Sequence, residues 1–104
     1  MENQKIKILG TEYELRFTNR RDEPILKEAD GECRWFEKVI VVDNELKYKE
    51  HLEHVIKHEI VHAFLQESGL KPYATDELIV DWIAWHIDKI KQVIDSVEAK
   101  FVLK

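Results

Sequence analysis

The first third of the chain alternates. Ile6 and Ile8, then Tyr13, Leu15 and Phe17, fall on every second position with polar residues between them, the period of strands buried on one face. Gly10-Thr11 stands between the two runs and predicts a hairpin with glycine at the first turn position. Residues 19–31 are mostly polar or charged, contain Pro24 and Gly31, and read as a loop with room for one helical turn. A second hairpin is expected over Glu32 to Asp43, turning near Glu37-Lys38. Its return arm, Val39-Ile40-Val41-Val42, is β-branched throughout, as in a strand buried on both sides or covered on one side by a helix.

From Lys47 the period changes. Leu52, Val55, Ile56, Glu59, Ile60 and Ala63 recur at helical spacing up to Ser68, and Gly69 is placed to end that helix. A short connection through Pro72 leads to Thr75-Asp76-Glu77, which supplies an N-cap and acidic first-turn residues for a second helix. This helix carries Ile79, Ile83, Ile87, Ile90, Ile94, Val97 and Phe101 at spacings of three and four. Between Leu78 and Ile87 it is apolar almost all round, which predicts the central, most buried helix, with Trp82 and Trp85 in the core. The lower stripe from Ile90 to Phe101 extends past that core and suits pairing with a second copy, so the chain is expected as a monomer or a helix-mediated homodimer. The whole pattern predicts an α+β fold: a small antiparallel sheet of two hairpins, then two helices packed on one face.

Composition narrows the functions this fold can serve. A chain of 104 residues fits one domain, residues 1–104. The formal charge is −5 with the basic residues scattered, which disfavours nucleic acid and anionic membranes as partners and weighs against a DNA-binding regulator. Cys33 is the single cysteine and excludes an internal disulfide. It is expected as a small buried residue. The first residues lack the apolar segment of a signal peptide, and apolar runs are too short to span a bilayer; a cytoplasmic protein is expected.

The chemistry concentrates in His58-Glu59-Ile60-Val61-His62. Residues four apart share one face of a helix, so His58 and His62 present two imidazoles to one point. Zinc accepts neutral imidazole nitrogen at about 2.0–2.1 Å and takes four tetrahedral ligands. Glu59, rotated about 100° around the axis from His58, can reach a water on the metal without being a ligand, the position of a general base. The bare pattern is moderately specific in a chain with five histidines, and His51 and His54 lie nearby. His54 and His58 are also four apart, but Val55 follows His54, so that pair has no base. The apolar neighbours Ile60, Val61, Ala63 and Phe64 add weight, because they are the setting of a buried site. A catalytic zinc needs a third protein ligand and an open fourth position. Glu77 and Asp81, four apart on the second helix, are candidates.

H-E-x-x-H followed by a helix bearing E-x-x-x-D resembles the gluzincin metallopeptidases, and the wording HEIVHAFLQESGL…DELIVDWIA is similar to small metallopeptidase-like proteins of bacterial prophages. The resemblance covers Val55 to Ala84 and, loosely, Gly31 to Asp43. It implies a minimal zincin-like fold, a short sheet with an active-site helix and a glutamate helix, binding one Zn2+. His58, His62 and Glu77 would be the ligands, Asp81 would orient His58 by a hydrogen bond, and Glu59 would be the base. Tyr73, between the two motifs, would stabilise the oxyanion, with His86 as another donor. The gap from His62 to Glu77 is short for the large gluzincins, and Asp76 replaces the asparagine that often precedes their glutamate. Asp76 and Asp81 therefore stay open as alternative third ligands. An edge strand, Val39 to Asp43 or its hairpin mate, would bind substrate backbone by strand addition. The implied function is a zinc metalloendopeptidase acting on a protein or peptide substrate. The alternative is a catalytically weak or inactive zincin fold with a structural zinc, serving a phage or mobile element as a binding or regulatory module.

Overall fold

The computed structural model describes residues 1–97. Four strands, β1 (Gln4–Ile8), β2 (Thr11–Thr18), β3 (Gly31–Arg34) and β4 (Val39–Asp43), precede three helices, α1 (Lys49–Glu67), the short α2 (Lys71–Ala74) and α3 (Glu77–Ser96). A 3-10 turn, Pro24–Lys27, lies in the connection between β2 and β3 and starts at the proline, whose fixed φ suits the first helical position.

Both hairpins form. In the first, Ile8 pairs with Thr11, so the turn is Leu9-Gly10 rather than Gly10-Thr11. Both turn residues have positive φ, 50° and 83°. That is the turn whose twist matches two right-twisted strands, and it puts glycine second, with Leu9 bearing the strain. The second hairpin pairs β3 with β4 antiparallel.

The expected antiparallel sheet is instead mixed. Its order is β1-β2-β4-β3, and β2 runs parallel to β4, with Leu15 opposite Ile40 and Phe17 opposite Val42. The connection through residues 19–30 carries the chain back far enough for the second hairpin to dock its return arm, not its first arm, on β2. As a result β4 is interior and β3 is left at the edge. Every residue of β4 is buried. On one face Ile40 and Val42 join Ile8, Tyr13, Leu15, Val55 and Ala63; on the other Val39 and Val41 pack on Leu26 of the 3-10 turn.

α1 lies across the first face, burying Val55, Glu59, His62 and Ala63. Gly31 of β3 lets it approach closely: a Cβ there would sit 2.9 Å from Val55 Cγ1 and 3.1 Å from Glu59 Cγ. The helix ends as expected at Gly69, whose φ is 88°. The amide of Leu70 bonds Leu65 O and that of Gly69 bonds Gln66 O, the paired bonds that close a helix over a left-handed residue. Glu67 ties this end to the sheet, accepting from Tyr13 Oη at 2.8 Å and Lys38 Nζ at 2.6 Å.

α3 is not the most buried helix. It packs on α1 and α2 as an outer layer rather than beside α1 on the sheet. Only Val80 and Ala84 are buried, while Leu78, Trp82 and Trp85 face solvent. Trp82 and Trp85 are therefore surface residues, not core. Ile90, Ile94 and Val97 are exposed as well, and Phe101 lies outside the described residues. No helix among the described residues is long and apolar enough to cross a membrane.

Candidate metal centre

α1 carries His54, His58 and His62 one turn apart, and this histidine stripe faces the start of α3. What brings α3 there is the single turn of α2 and a cap. Asp76 accepts from the amides of Leu78 and Ile79, both at 3.1 Å, fixing the first turn of α3 with Glu77 in it. That bonding employs the Asp76 carboxylate as a cap, so Asp76 is not the third member of the site.

Glu77 is. Its Oε2 lies 2.8 Å from His58 Nε2 and its Oε1 lies 3.0 Å from His62 Nε2. The two Nε2 atoms are 3.2 Å apart. The far sides of the rings decide what these atoms can be. His62 Nδ1 faces the carbonyl of Ala74 at 2.5 Å, and a carbonyl only accepts, so Nδ1 carries the proton. His58 Nδ1 faces Asp81 Oδ1 at 3.1 Å and donates to that carboxylate. Asp81 also accepts from His54 Nε2 at 2.9 Å, and the hydrogen bonds from His54 and His58 hold its carboxyl below the ordinary range. With each Nδ1 bonded outward, both Nε2 atoms and the Glu77 carboxylate face one point. These atoms are held together either by a proton shared between an imidazole Nε2 and the carboxylate or by a cation among them.

The spacing fits a tetrahedral ion. Two nitrogens each about 2.0–2.1 Å from zinc at the tetrahedral angle are about 3.3 Å apart, against the 3.2 Å found. His58, His62 and Glu77 thus offer three atoms that could hold a metal ion, all within 4.8 Å of one another. His54, His58 and Asp81 form a second group of the same compactness. In that group both ring nitrogens bond one carboxylate oxygen, donor to acceptor, and no lone pairs oppose each other. Asp81 is held on the outer side of His58, where it orients the ring, and it is not a ligand in this arrangement.

The histidines and Glu77 line one end of a cleft of about 540 Å³. Along its wall run Gly31, Glu32 and Cys33 of the edge strand, and Glu59 stands between that strand and His58. Glu59 is buried, and burial pushes its carboxyl up to about 7; the adjacent His58 opposes the shift, and the charges of Glu77 and Glu32 add to it. Cys33 is half-buried in the cleft wall rather than enclosed in the core, and desolvation pushes its thiol up to about 12, where it stays protonated and inert. His51 pairs with Asp30 at 2.8 Å, and both line the cleft.

Two expected participants stand apart. Tyr73, on α2, is about half exposed and does not line the cleft. His86 bonds back to Trp82 O at 2.7 Å and stacks on the Trp82 ring, so its Nδ1 is engaged on its own helix. Conversely, the carbonyl of Ala74, on which the sequence is silent, and the ring of His54, whose pairing with His58 lacks a base, belong to the arrangement. His54 was visible as a member of the i, i+4 stripe; Ala74 acts through its backbone and leaves no mark in the side-chain pattern.

Comparison of the chain with protein-family models, with curated protein sequences and with solved structures finds no match.

Proposed function

We propose that this chain is a zinc-dependent metallopeptidase of minimal zincin-like build, with His58, His62 and Glu77 as ligands and Glu59 as general base. The observation that carries the reading is the convergence of His58 Nε2, His62 Nε2 and the Glu77 carboxylate, with each imidazole's other nitrogen already bonded outward. A zinc ion held there would supply Lewis acidity, acidifying water and polarising a carbonyl.

The chain's own residues divide the remaining work. Glu59, beside His58 and facing the cleft, takes the proton from the attacking water as the C–O bond forms and then passes it to the nitrogen, so that the C–N bond breaks and the amine leaves as the carbonyl re-forms. Asp81 and Ala74 O hold the two rings in the tautomer that leaves Nε2 free. The edge strand receives the substrate. Asp43 N–H bonds Asp30 O, so residues 30 and 43 form a bonded pair, and alternation along an antiparallel ladder turns the backbone groups of Gly31 and Cys33 outward. β4 is internal to the sheet, which leaves β3 as the strand that can add an extended peptide beside the histidines.

An open three-ligand cleft favours peptidase action over a closed structural zinc, because a structural site takes a fourth protein ligand and the Asp81 carboxylate is committed to the outer side of His58. The test is the metal content of protein purified without added metal, together with cleavage of an unstructured protein substrate. One zinc per chain is expected. Glu59→Gln should retain the zinc and lose about 10²–10⁴-fold in cleavage rate. Wild-type protein without zinc would sink the proposal, and a Glu59→Gln protein that loses zinc with activity would make Glu59 structural. Zinc bound with no cleavage of any substrate would instead favour the phage-type binding or regulatory module.

A further inference from the structure

We propose that His54 is a positioning residue of this metal centre: acting through Asp81 and clamped by Trp85, it fixes the ring of His58 whose Nε2 faces the metal. The inference rests on the metal reading given above and extends it one layer outward.

Asp81 is a weak support on its own. Its side chain is 46% exposed, and an aspartate in that setting can turn its carboxylate toward water. Here one oxygen, Oδ1, accepts from two imidazoles at once, His54 Nε2 at 2.9 Å and His58 Nδ1 at 3.1 Å. A carboxylate oxygen has two lone pairs, so both bonds are made without competition. Rotation of Asp81 away from His58 would break the bond to His54 as well.

His54 is itself held. Its side chain is only 18% exposed, much less than that of Asp81, and its ring stacks on the Trp85 indole with centroids 4.0 Å apart and planes 25° from parallel. Trp85 is four residues after Asp81, on the same face of α3, as His54 is four residues before His58 on α1. The two helices therefore meet in a ladder of two rungs: Asp81 between the histidines, and Trp85 against the outer one. This also gives a task to a half-exposed indole in an otherwise solvated position.

The same three residues could instead hold a second cation. That would require His58 to give up its Nδ1 proton and bridge two ions, whereas in the observed arrangement the two ring nitrogens that face Asp81 both bond its Oδ1.

The experiment measures zinc dissociation constants by chelator competition and the visible absorption of the cobalt-substituted protein, for wild type, His54→Leu, His54→Gln and His54→Asn, with folding followed by circular dichroism. His54→Leu should bind zinc about tenfold more weakly, the low end of what outer partners of ligating histidines contribute, and its cobalt bands should shift because His58 is no longer held in one orientation. His54→Gln carries an amide N–H close to where Nε2 sits and should restore both affinity and spectrum. His54→Asn, with its shorter side chain, should behave like His54→Leu, which keeps the comparison decisive if the leucine variant fails to fold. Wild-type affinity and an unchanged cobalt spectrum in His54→Leu would overturn the positioning role while leaving the metal centre intact. Two zinc equivalents in wild type that fall to one in His54→Leu would make His54 a ligand of a second ion and overturn it too. A wild type that binds no zinc would remove the metal reading and this inference together.

Discussion

α1 and α3 are nearly equal in length, 19 and 20 residues, and their surroundings reverse what their compositions suggest. α1 is rich in histidine, lysine and glutamate, yet it lies on the sheet and buries a carboxylate and an imidazole in its centre. α3 is rich in isoleucine and tryptophan, yet it lies on α1 and leaves Leu78, Trp82, Trp85 and Val93 in solvent. A helix's hydrophobicity thus did not set its depth. Depth followed from layer order: α1 reaches the sheet first, and one close-packed face is all that α3 then needs. Of the polar groups that α1 carries inward, His62 meets Ala74 O, and Glu59 meets the backbone of Cys33 at the strand edge.

Substitutions at matched positions test this contrast. Val55→Asp places an unpaired charge in the core beneath α1 and is expected to cost about 4 kcal/mol or more, enough to abolish a cooperative melting transition near body temperature. A well-folded Val55→Asp protein would mean that α1 is not seated on the sheet as described. Gly31→Ala is milder. Its new methyl group meets Val55 Cγ1 at 2.9 Å and should cost about 1–3 kcal/mol in urea melts, with a further loss of any cleavage because Glu59 lies on the same contact. The smallest effect is expected on α3: Val93→Asp should change stability by no more than about 0.5 kcal/mol. A larger, concentration-dependent loss there would show that a second copy covers this face, the helix-mediated homodimer that the Ile90–Ile94–Val97 stripe invites.

The strands, the two long helices and the glycine that ends α1 were legible from period alone, because a two-residue or 3.6-residue repeat is a local property. The failures were all relational. Alternation cannot distinguish parallel from antiparallel neighbours, so it carries neither the β2–β4 pairing nor the exposure of β3. Glycine is acceptable at more than one turn position, and only the strand register selects Leu9-Gly10 over Gly10-Thr11. The all-round apolar stretch of α3 does not report depth; it reports only that no face of that helix forbids burial.

For the site the division is similar. The sequence by itself determined that His58 and His62 share a face with Glu59 beside them, and that two carboxylates, Glu77 and Asp81, stand four apart on a later helix, since helical geometry fixes those relations wherever the chain goes. Which carboxylate meets the inner side of the histidines and which the outer was decided only by the tertiary structure. The cap by Asp76 sets the start of α3, the packing of α3 on α1 sets its rotation, and those two constraints together turn Glu77 toward Nε2 and Asp81 toward Nδ1. The roles of His54 and the Ala74 carbonyl arose at the same step, because a hydrogen-bond partner on another element is a matter of distance in space, which residue spacing along the chain does not encode.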